Sequence, residues 1–463
     1  MQVSDSRDNP ITTSKPEAVE CFDRAVTAIF GFRQDTGDRL KQAFAADPNL
    51  AMGHCLRGYL MMLFGQRAMV PRAQRSLDAA REAAAAGVTP RERAHVAALA
   101  SWVAGDLAGA TARWDAIAAE HPRDLLALKL AQHGWFYAGD SERMRAVTAR
   151  ALPAWDEATP GYGFVLGCHA FALEETGDHA TAERVGRSAI TRNPTDIWAA
   201  HAVAHVFEMT GRPQEGIGWI ERLEAGWSGC NNFAYHLFWH RCLFLLELGK
   251  LDRALDLYDS EVRSELTDDL HDIANAVSLL WRLEQEGVDV GDRWHELADR
   301  AHAHIDDHLM IFGDVHYLMA LAAAGRAGDV ARMVESLARF AAESSETQAA
   351  VAGEPGLALV DALLAHRLGE HEQVVAKIFP IRRAIKRIGG SRAQRELFDE
   401  MLLGSALSAG HFEQAKGLLA ERFERRPRSA PVWRDRMQPH HRFGDFDIAL
   451  AARAEAERPA AHA

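Results

Sequence analysis

Apolar residues return at helical spacing along almost the whole chain, in pairs of stretches separated by a glycine. Gly105, Gly139, Gly177, Gly211, Gly249, Gly287 and Gly325 each end one apolar stretch and precede another, at intervals of 34, 38, 34, 38, 38 and 38 residues. The unit around Gly177 is the clearest. Gly177-Asp178 makes the turn, Ala182 and Ala189 follow, and Asn193-Pro194 ends the unit. Glycine suits a helix C-terminus because it takes positive φ without strain, and proline ends the second helix. The alanines stand where two antiparallel helices must approach closely. The same pattern recurs at Gly31 with Ala43 and Asp47-Pro48, at Gly105 with Ala110 and Pro122, and at Gly410 with Ala415 and Pro427. No alternating run of Val, Ile or Thr reads as a strand, and abundant Ala, Leu, Glu and Arg favour helix.

A 34-residue unit is the tetratricopeptide period, one helix-turn-helix hairpin per repeat, and the 38-residue intervals fit helices about one turn longer. The expected fold is all-α, a tetratricopeptide-like solenoid of helical hairpins spanning residues 16–452. Residues 1–15 and 453–463 read as disordered ends. The connections near Ala225–Asn232 and Glu343–Pro355 are longer and read as binding loops.

Composition removes several functions without naming one. The formal net charge of −13 over 463 residues opposes generic binding to nucleic acid or to an anionic membrane. Arg382, Arg383, Lys386 and Arg387 form a local basic group whose spacing reads as a solvated helix face. The five cysteines are widely spaced, without a C-x-x-C pair, which fits reduced thiols and a cytoplasmic location. The polar N-terminus has no signal-peptide pattern, and no uninterrupted apolar run reaches the roughly 18 residues of a membrane span. P-loop, dinucleotide-binding and nucleophile-elbow motifs are absent, which disfavours kinase, NAD-dependent and serine-hydrolase chemistry. Cys230 lies near His236 in sequence but is set aside as a nucleophile.

The chemistry concentrates in one region. Ten histidines lie between positions 201 and 316. In His201-Ala-Val-Ala-His205-Val-Phe-Glu208, positions i, i+4 and i+7 share a helical face, so two imidazoles and a carboxylate form one stripe. His236 and His240 repeat the spacing, and Asp272, Asp314 and His316 follow. All precede their unit's glycine, so they fall on first helices, which line the concave side of such an array. Glu208 is expected to orient His205, and Asp314 an imidazole of a neighbouring unit. Glu174-Glu175 reads as helix surface. His133 and His169 read as packing residues, and Trp102, Trp114, Trp135, Trp198, Trp239 and Trp281 as inter-helix core.

Longer strings sharpen this picture. They are His201-Ala-Val-Ala-His205-Val-Phe-Glu208-Met209, His236-x-x-Trp239-His240, Leu280-Trp-Arg-Leu-Glu-Gln-Glu-Gly287-Val, Phe312-Gly-Asp314-Val-His316-Tyr-Leu-Met319-Ala and Gly389-Gly-Ser-Arg-Ala-Gln394-Arg395. In this order and spacing the chain resembles the tetratricopeptide repeat protein 38 family, over roughly residues 20–430 and most closely from 195 to 400. The resemblance implies an all-α repeat fold and no particular reaction. Two positions depart from that family's pattern: Asn275 stands where Asp is expected, and Arg392 where Asn or His is expected.

Three functions remain open. The first is an enzyme acting on a small polar molecule by general acid–base hydrolysis or elimination. In it His201, His205, Glu208, His236, His240, Asp272, Asp314 and His316 are the catalytic set, while Gln394, Arg395 and Trp239 bind substrate. The second is a non-catalytic scaffold that takes a peptide or protein partner in its groove. The third is a metal-dependent enzyme using the same histidines. Ala202 stands where H-E-x-x-H would need Glu, so no metal or cofactor is assigned from sequence. The expected partners are a small molecule or peptide, with neither nucleic acid nor membrane, and a homo-oligomer is open.

Overall fold

The computed structural model describes residues 2–426 and consists mainly of helical hairpins. In chain order these are α1 (Pro16–Phe30) with α2 (Thr36–Ala46), α3 (Ala51–Leu63) with α4 (Val70–Ala85), α5 (Pro90–Val103) with α6 (Leu107–Glu120), and α7 (Leu125–Tyr137) with α8 (Ser141–Ala151). Next come α9 (Tyr162–Glu175) with α10 (His179–Arg192), α11 (Ile197–Met209) with α12 (Pro213–Leu223), α13 (Phe233–Glu247) with α14 (Leu251–Leu257), and α15 (Leu270–Gln285) with α16 (Arg293–His302). The array continues with α17 (Ile311–Ala323) and α18 (Ala327–Glu343), then the short α19 (Thr347–Val351). It ends with α20 (Leu357–Arg367) and α21 (His371–Ile381), and α22 (Arg392–Ser408) and α23 (Phe412–Arg425).

The local grammar explains the hairpins. Each of the seven glycines from Gly105 to Gly325 has positive φ, between 62° and 87°, just past the end of a first helix. After Gly177 the Asp178 side chain accepts from the Thr181 N–H and starts α10; Asp106 and Asp140 do the same for α6 and α8. Asp124 and Asp196, two residues beyond a proline, cap the first helices α7 and α11 in the same way. Ala110, Ala182 and Ala189 are fully buried between helices, as the close approach requires. The Gly31 unit differs: Gly31 has φ −81°, and Phe32 takes the positive φ instead.

The solenoid winds tightly enough for distant repeats to touch. The Tyr137 hydroxyl of α7 meets His271 Nε2 of α15 at 2.5 Å. The Arg392 N–H at the start of α22 donates to Glu175 of α9 at 2.9 Å. Arg67 binds Glu346, and the Thr347 N–H donates to the Gly105 carbonyl. First helices in the middle of the array are therefore buried on nearly every side. In α11 every residue from Ala199 to Met209 is buried.

Three expectations need correction. Residues 1–15 are not disordered: Gln2–Ser4 pairs antiparallel with Pro10–Thr12. The polar side chains that suggest disorder are held by distant partners. Asn9 donates to the Arg123 carbonyl, Thr12 binds Glu92, Thr13 binds Asp47 and Arg7 pairs with Asp23. Neither long connection is a free binding loop. Trp227 is buried and Cys230 bridges to Arg33, while Glu346 and Thr347 hold the α5–α6 side of the array. The expected tail at 453–463 lies outside the described residues. Among the described residues, Thr347–Arg367 alone passes a length-and-composition test for a membrane span. It leaves helical geometry at Glu354, and over half of its most apolar window is buried.

The α10–α11 contact that seats the histidine helix is testable. A Cβ on Gly186 would lie 2.5 Å from a methyl of Val203, a fully buried, β-branched residue with little rotamer freedom. Gly186→Leu is expected to cost about 1–3 kcal/mol, read as a lower urea midpoint at unchanged m-value.

Candidate functional site

Helices α11 and α13 lie side by side, and their histidines interleave. His201 and His205 come from α11, and His236 and His240 from α13. His201 Nε2 lies 2.9 Å from His205 Nε2 and 3.0 Å from His236 Nε2. One nitrogen from each of the four rings lies within 4.8 Å of all the others. The rings are 0–8% exposed, and Phe171, Trp198, Phe233 and Trp239 pack around them. The stripe expected from sequence thus converges on one point.

The outer edges of the rings decide what the inner edges present. His240 Nδ1–H donates to Glu208 Oε2 at 2.8 Å, and His236 Nδ1–H to Asn275 Oδ1 at 3.0 Å. His205 Nδ1 faces Glu174 Oε2 at 3.4 Å. An imidazole that carries its proton on Nδ1 has a bare lone pair on Nε2. His236 and His240 therefore aim lone pairs inward, and one proton on His201 Nε2 cannot serve both. His240 Nε2 is buried without a hydrogen-bond partner, as is His201 Nδ1. A cation at the centre would satisfy the set. Oxygen acceptors behind ligating imidazoles are the usual accompaniment of a metal site.

Electrostatics points the same way. Burial, reinforced by the neighbouring rings, holds His201 and His236 well below the ordinary imidazole range and pushes His240 down to about 4. These rings are neutral near pH 7, as ligands must be. Burial also opposes the charge on His205, but the Glu174 carboxylate outweighs it and the net shift is upward. Burial raises Glu208, and the His240 N–H, then Arg426 and His205, more than offset it, leaving about 2.

The other expected residues divide. Glu208 belongs to the site, serving His240 rather than His205. Glu174 and Glu175 are 1% and 3% exposed, so the surface reading of that pair is wrong. Glu174 sits three residues before Gly177, the position Glu208 holds before Gly211, and that shared phase was the available signal. Trp239 is fully buried in the core: its N–H donates to Ser278 and its ring stacks on His236. Asp272 shares a face of α15 with Asn275 but accepts from Thr267 and Asn232, not from an imidazole. Burial and Asp269 push it up to about 6.

Asp314 and His316 stand apart from the cluster. Asp314 lies 3.1 Å from His308 Nδ1, and His316 donates to the Phe312 carbonyl between Phe312 and Phe398. Gln394 is no anion clamp, because its side chain and Ser391 form the capping box of α22. Arg395 binds the Gly390 carbonyl and faces Glu175 at 3.9 Å. Cys230 donates to the Gly31 carbonyl and contacts no histidine in hydrogen-bond range.

Beside the cluster, several half-buried groups face inward. Lys129 Nζ stands 3.4 Å from the Trp198 ring centroid, with Phe30 and Phe32 within 6 Å. His133 packs edge-on against Tyr137, whose partner His271 keeps 36% side-chain exposure between two walls of the superhelix. Lys129 and His133 precede Gly139 by ten and six residues, as His201 and His205 precede Gly211. Repeat phase marks both as groove positions, where the sequence reads His133 as a packing residue and gives Lys129 no role.

No protein-family model matches the sequence. Among solved structures, the chain is similar to the human IFIT1 dimer with PPP-AAAA, at 14% identity over 84% of this chain and 91% of that one, with TM-score 0.39. It is similar to Naa15/Naa10 bound to HypK-THB at 12% identity, covering 87% of this chain and 62% of that one, with TM-score 0.27. It is also similar to the P58(IPK) TPR domain at 13% identity, covering 67% and 88%, with TM-score 0.20. Likeness this slight does not bear on the site. The hairpin array itself defines the fold. It is an all-α, tetratricopeptide-like solenoid of helical hairpins.

His316 offers a pH test away from the cluster. Burial first, and Arg282 second, hold it at about 4 against 6.5 for an ordinary imidazole. Between those values the unfolded chain binds a proton that the folded chain does not, so stability falls as pH drops from 6.5 to 4. His316→Gln is expected to remove on the order of 3 kcal/mol of that acid-side loss. Urea unfolding measured across this window checks it.

Proposed function

We propose that this chain is a metal-dependent enzyme of the hydrolase or lyase kind. It holds a first-row transition-metal ion on His201, His205, His236 and His240. Its substrate is a small polar molecule admitted beside the cluster. The reading rests on one observation: four buried imidazoles converge, with oxygen acceptors fixing the Nδ1–H form of at least His236 and His240. A tetrahedral ion with metal–nitrogen bonds of about 2.0–2.1 Å sets its ligand nitrogens about 3.4 Å apart. The 2.9 and 3.0 Å separations need only a small opening of the rings. An all-imidazole set suits zinc, copper, iron or nickel better than calcium or magnesium. Lys129, Trp198, Phe233 and His271 give the approach to the cluster an aromatic wall with basic groups, suited to a flat or anionic small molecule. The resemblance to the tetratricopeptide repeat protein 38 family belongs to this reading and adds no reaction of its own.

A non-catalytic scaffold is the second reading. It is favoured by the repeat fold and by a cavity of about 320 Å³ between Glu208 and the α22–α23 hairpin. Glu396, Glu400, Arg282 and Arg422 line that cavity with both signs of charge.

Metal analysis separates the two. Purified protein is expected to carry, or take up, zinc, copper, iron or nickel in stoichiometric amount. Glu208→Gln, which loosens the His240 ring, is expected to weaken the ion by about 10–100-fold. His240→Gln should weaken it further, with the helical circular-dichroism signal kept. Protein that binds no ion, yet captures a peptide with unaltered affinity after His240→Gln, would establish the scaffold instead.

A further inference from the structure

His205 has a cluster on each side. Its Nε2 faces the other three imidazoles. Its Nδ1 faces Glu174 Oε2 at 3.4 Å, and one ring nitrogen of His205 and one oxygen each of Glu174 and Glu175 lie within 4.8 Å of one another. We infer that Glu174, Glu175 and His205 Nδ1 form a second metal subsite, so that His205, as an imidazolate, bridges two ions. The inference extends the metal reading above and rests on it.

The contact geometry separates a ligand from an orienting partner. Glu208 orients His240 through a 2.8 Å hydrogen bond. Glu174 approaches His205 only to 3.4 Å, and neither of its oxygens nor His205 Nδ1 has a hydrogen-bond partner. Three polar atoms left unpaired in the interior cost free energy that a hydrogen bond would have recovered. The distance is too long for a good N–H···O bond. It is about the edge of a tetrahedron whose centre binds nitrogen at about 2.0–2.1 Å and oxygen at about 2.0–2.2 Å.

Charge supports the same assignment. Two adjacent carboxylates at 1% and 3% exposure need positive charge nearby. The protein supplies part of it at Glu175, which accepts from the Arg392 N–H at 2.9 Å and faces Arg395 at 3.9 Å. Arg395 is not free to clamp the pair, since its Nη1 binds the Gly390 carbonyl. Glu174 has only the His205 ring, at 3.4 Å. Imidazole nitrogen with two carboxylates is a donor set that zinc accepts. Binding the second ion strips the Nδ1 proton, which leaves to solvent, and no electron moves.

The test uses the full chain with Zn²⁺ and Cu²⁺ as probes. Atomic emission and calorimetry on the metal-free protein should give two equivalents of Zn²⁺, the second accompanied by release of a proton. With two equivalents of Cu²⁺, the imidazolate should couple the spins, so that the paramagnetic resonance signal is far below that of two isolated ions. Glu174→Gln with Glu175→Gln should abolish the second equivalent and leave the first, with the signal of one isolated ion. A single equivalent on the wild-type chain overturns the bridge and leaves the four-histidine site standing. So does a second equivalent whose signal simply adds. No bound ion overturns both readings. The wild-type measurements decide alone, whether or not the double variant folds.

Discussion

Four imidazole rings buried around one point cannot satisfy one another. Each neutral ring has one donor and one acceptor. Once Glu208 and Asn275 take the Nδ1 protons of His240 and His236, those rings have only lone pairs to turn inward. His201 can offer at most one proton to the gap. Aromatic residues fill such a space elsewhere in the chain: between α3 and α6, Trp114 and Tyr59 meet edge to face. The central polar cluster is a departure from the packing rule of its own fold, and such departures cluster at functional sites.

The repeat makes the departure possible. In an isolated hairpin a first helix has one face on its partner and another open to water. Here the winding brings α7 against α15 and α9 against α22, so the inner face of α11 loses its water. That dries His205 and Glu174, and low dielectric strengthens every charge interaction between them. A shallower superhelix would leave the same residues as an ordinary wet groove. The pinning contacts of Glu346 and Cys230, on connections that look loop-like in sequence, therefore matter to the site although they lie outside it.

The fold was legible in the sequence because its determinants are local. Glycine at the end of a first helix, aspartate at the start of the next and alanine at the crossing are each read within a few residues. The same locality found His201, His205, His236 and His240, whose spacing puts them on helix faces. It could not find which acceptor serves which ring. Glu208 is one helical turn from His205 along α11, yet it serves His240 on the neighbouring helix, and Glu174 reaches His205 from the repeat before. Asp314 and His316 look equivalent to the cluster residues by phase, but their inner neighbours are His308 and Phe398, so they close a local network instead. Gln394 shows the reverse error: a polar residue after a Gly-Gly turn reads as a ligand clamp, while the capping box accounts for it completely. The N-terminal hairpin failed for a third reason. Disorder was read from polar composition, whereas Arg7, Asn9, Thr12 and Thr13 are held by side chains or carbonyls of other elements.

Asn275 bears most directly on the chemistry. An aspartate there would place a full negative charge behind His236, as Glu208 does behind His240, and would make a bound ion a weaker Lewis acid. Asparagine fixes the same tautomer through its carbonyl oxygen without that charge. The acceptors behind His205 and His240 are carboxylates, and the one behind His236 is neutral. Among the rings that face an oxygen the set is therefore graded, and His236, backed by the neutral one, is also the most exposed of the four at 8%. Asn275 thus keeps the His236 ring in its Nδ1–H form while leaving that side of the cluster without the negative charge that Glu208 supplies behind His240.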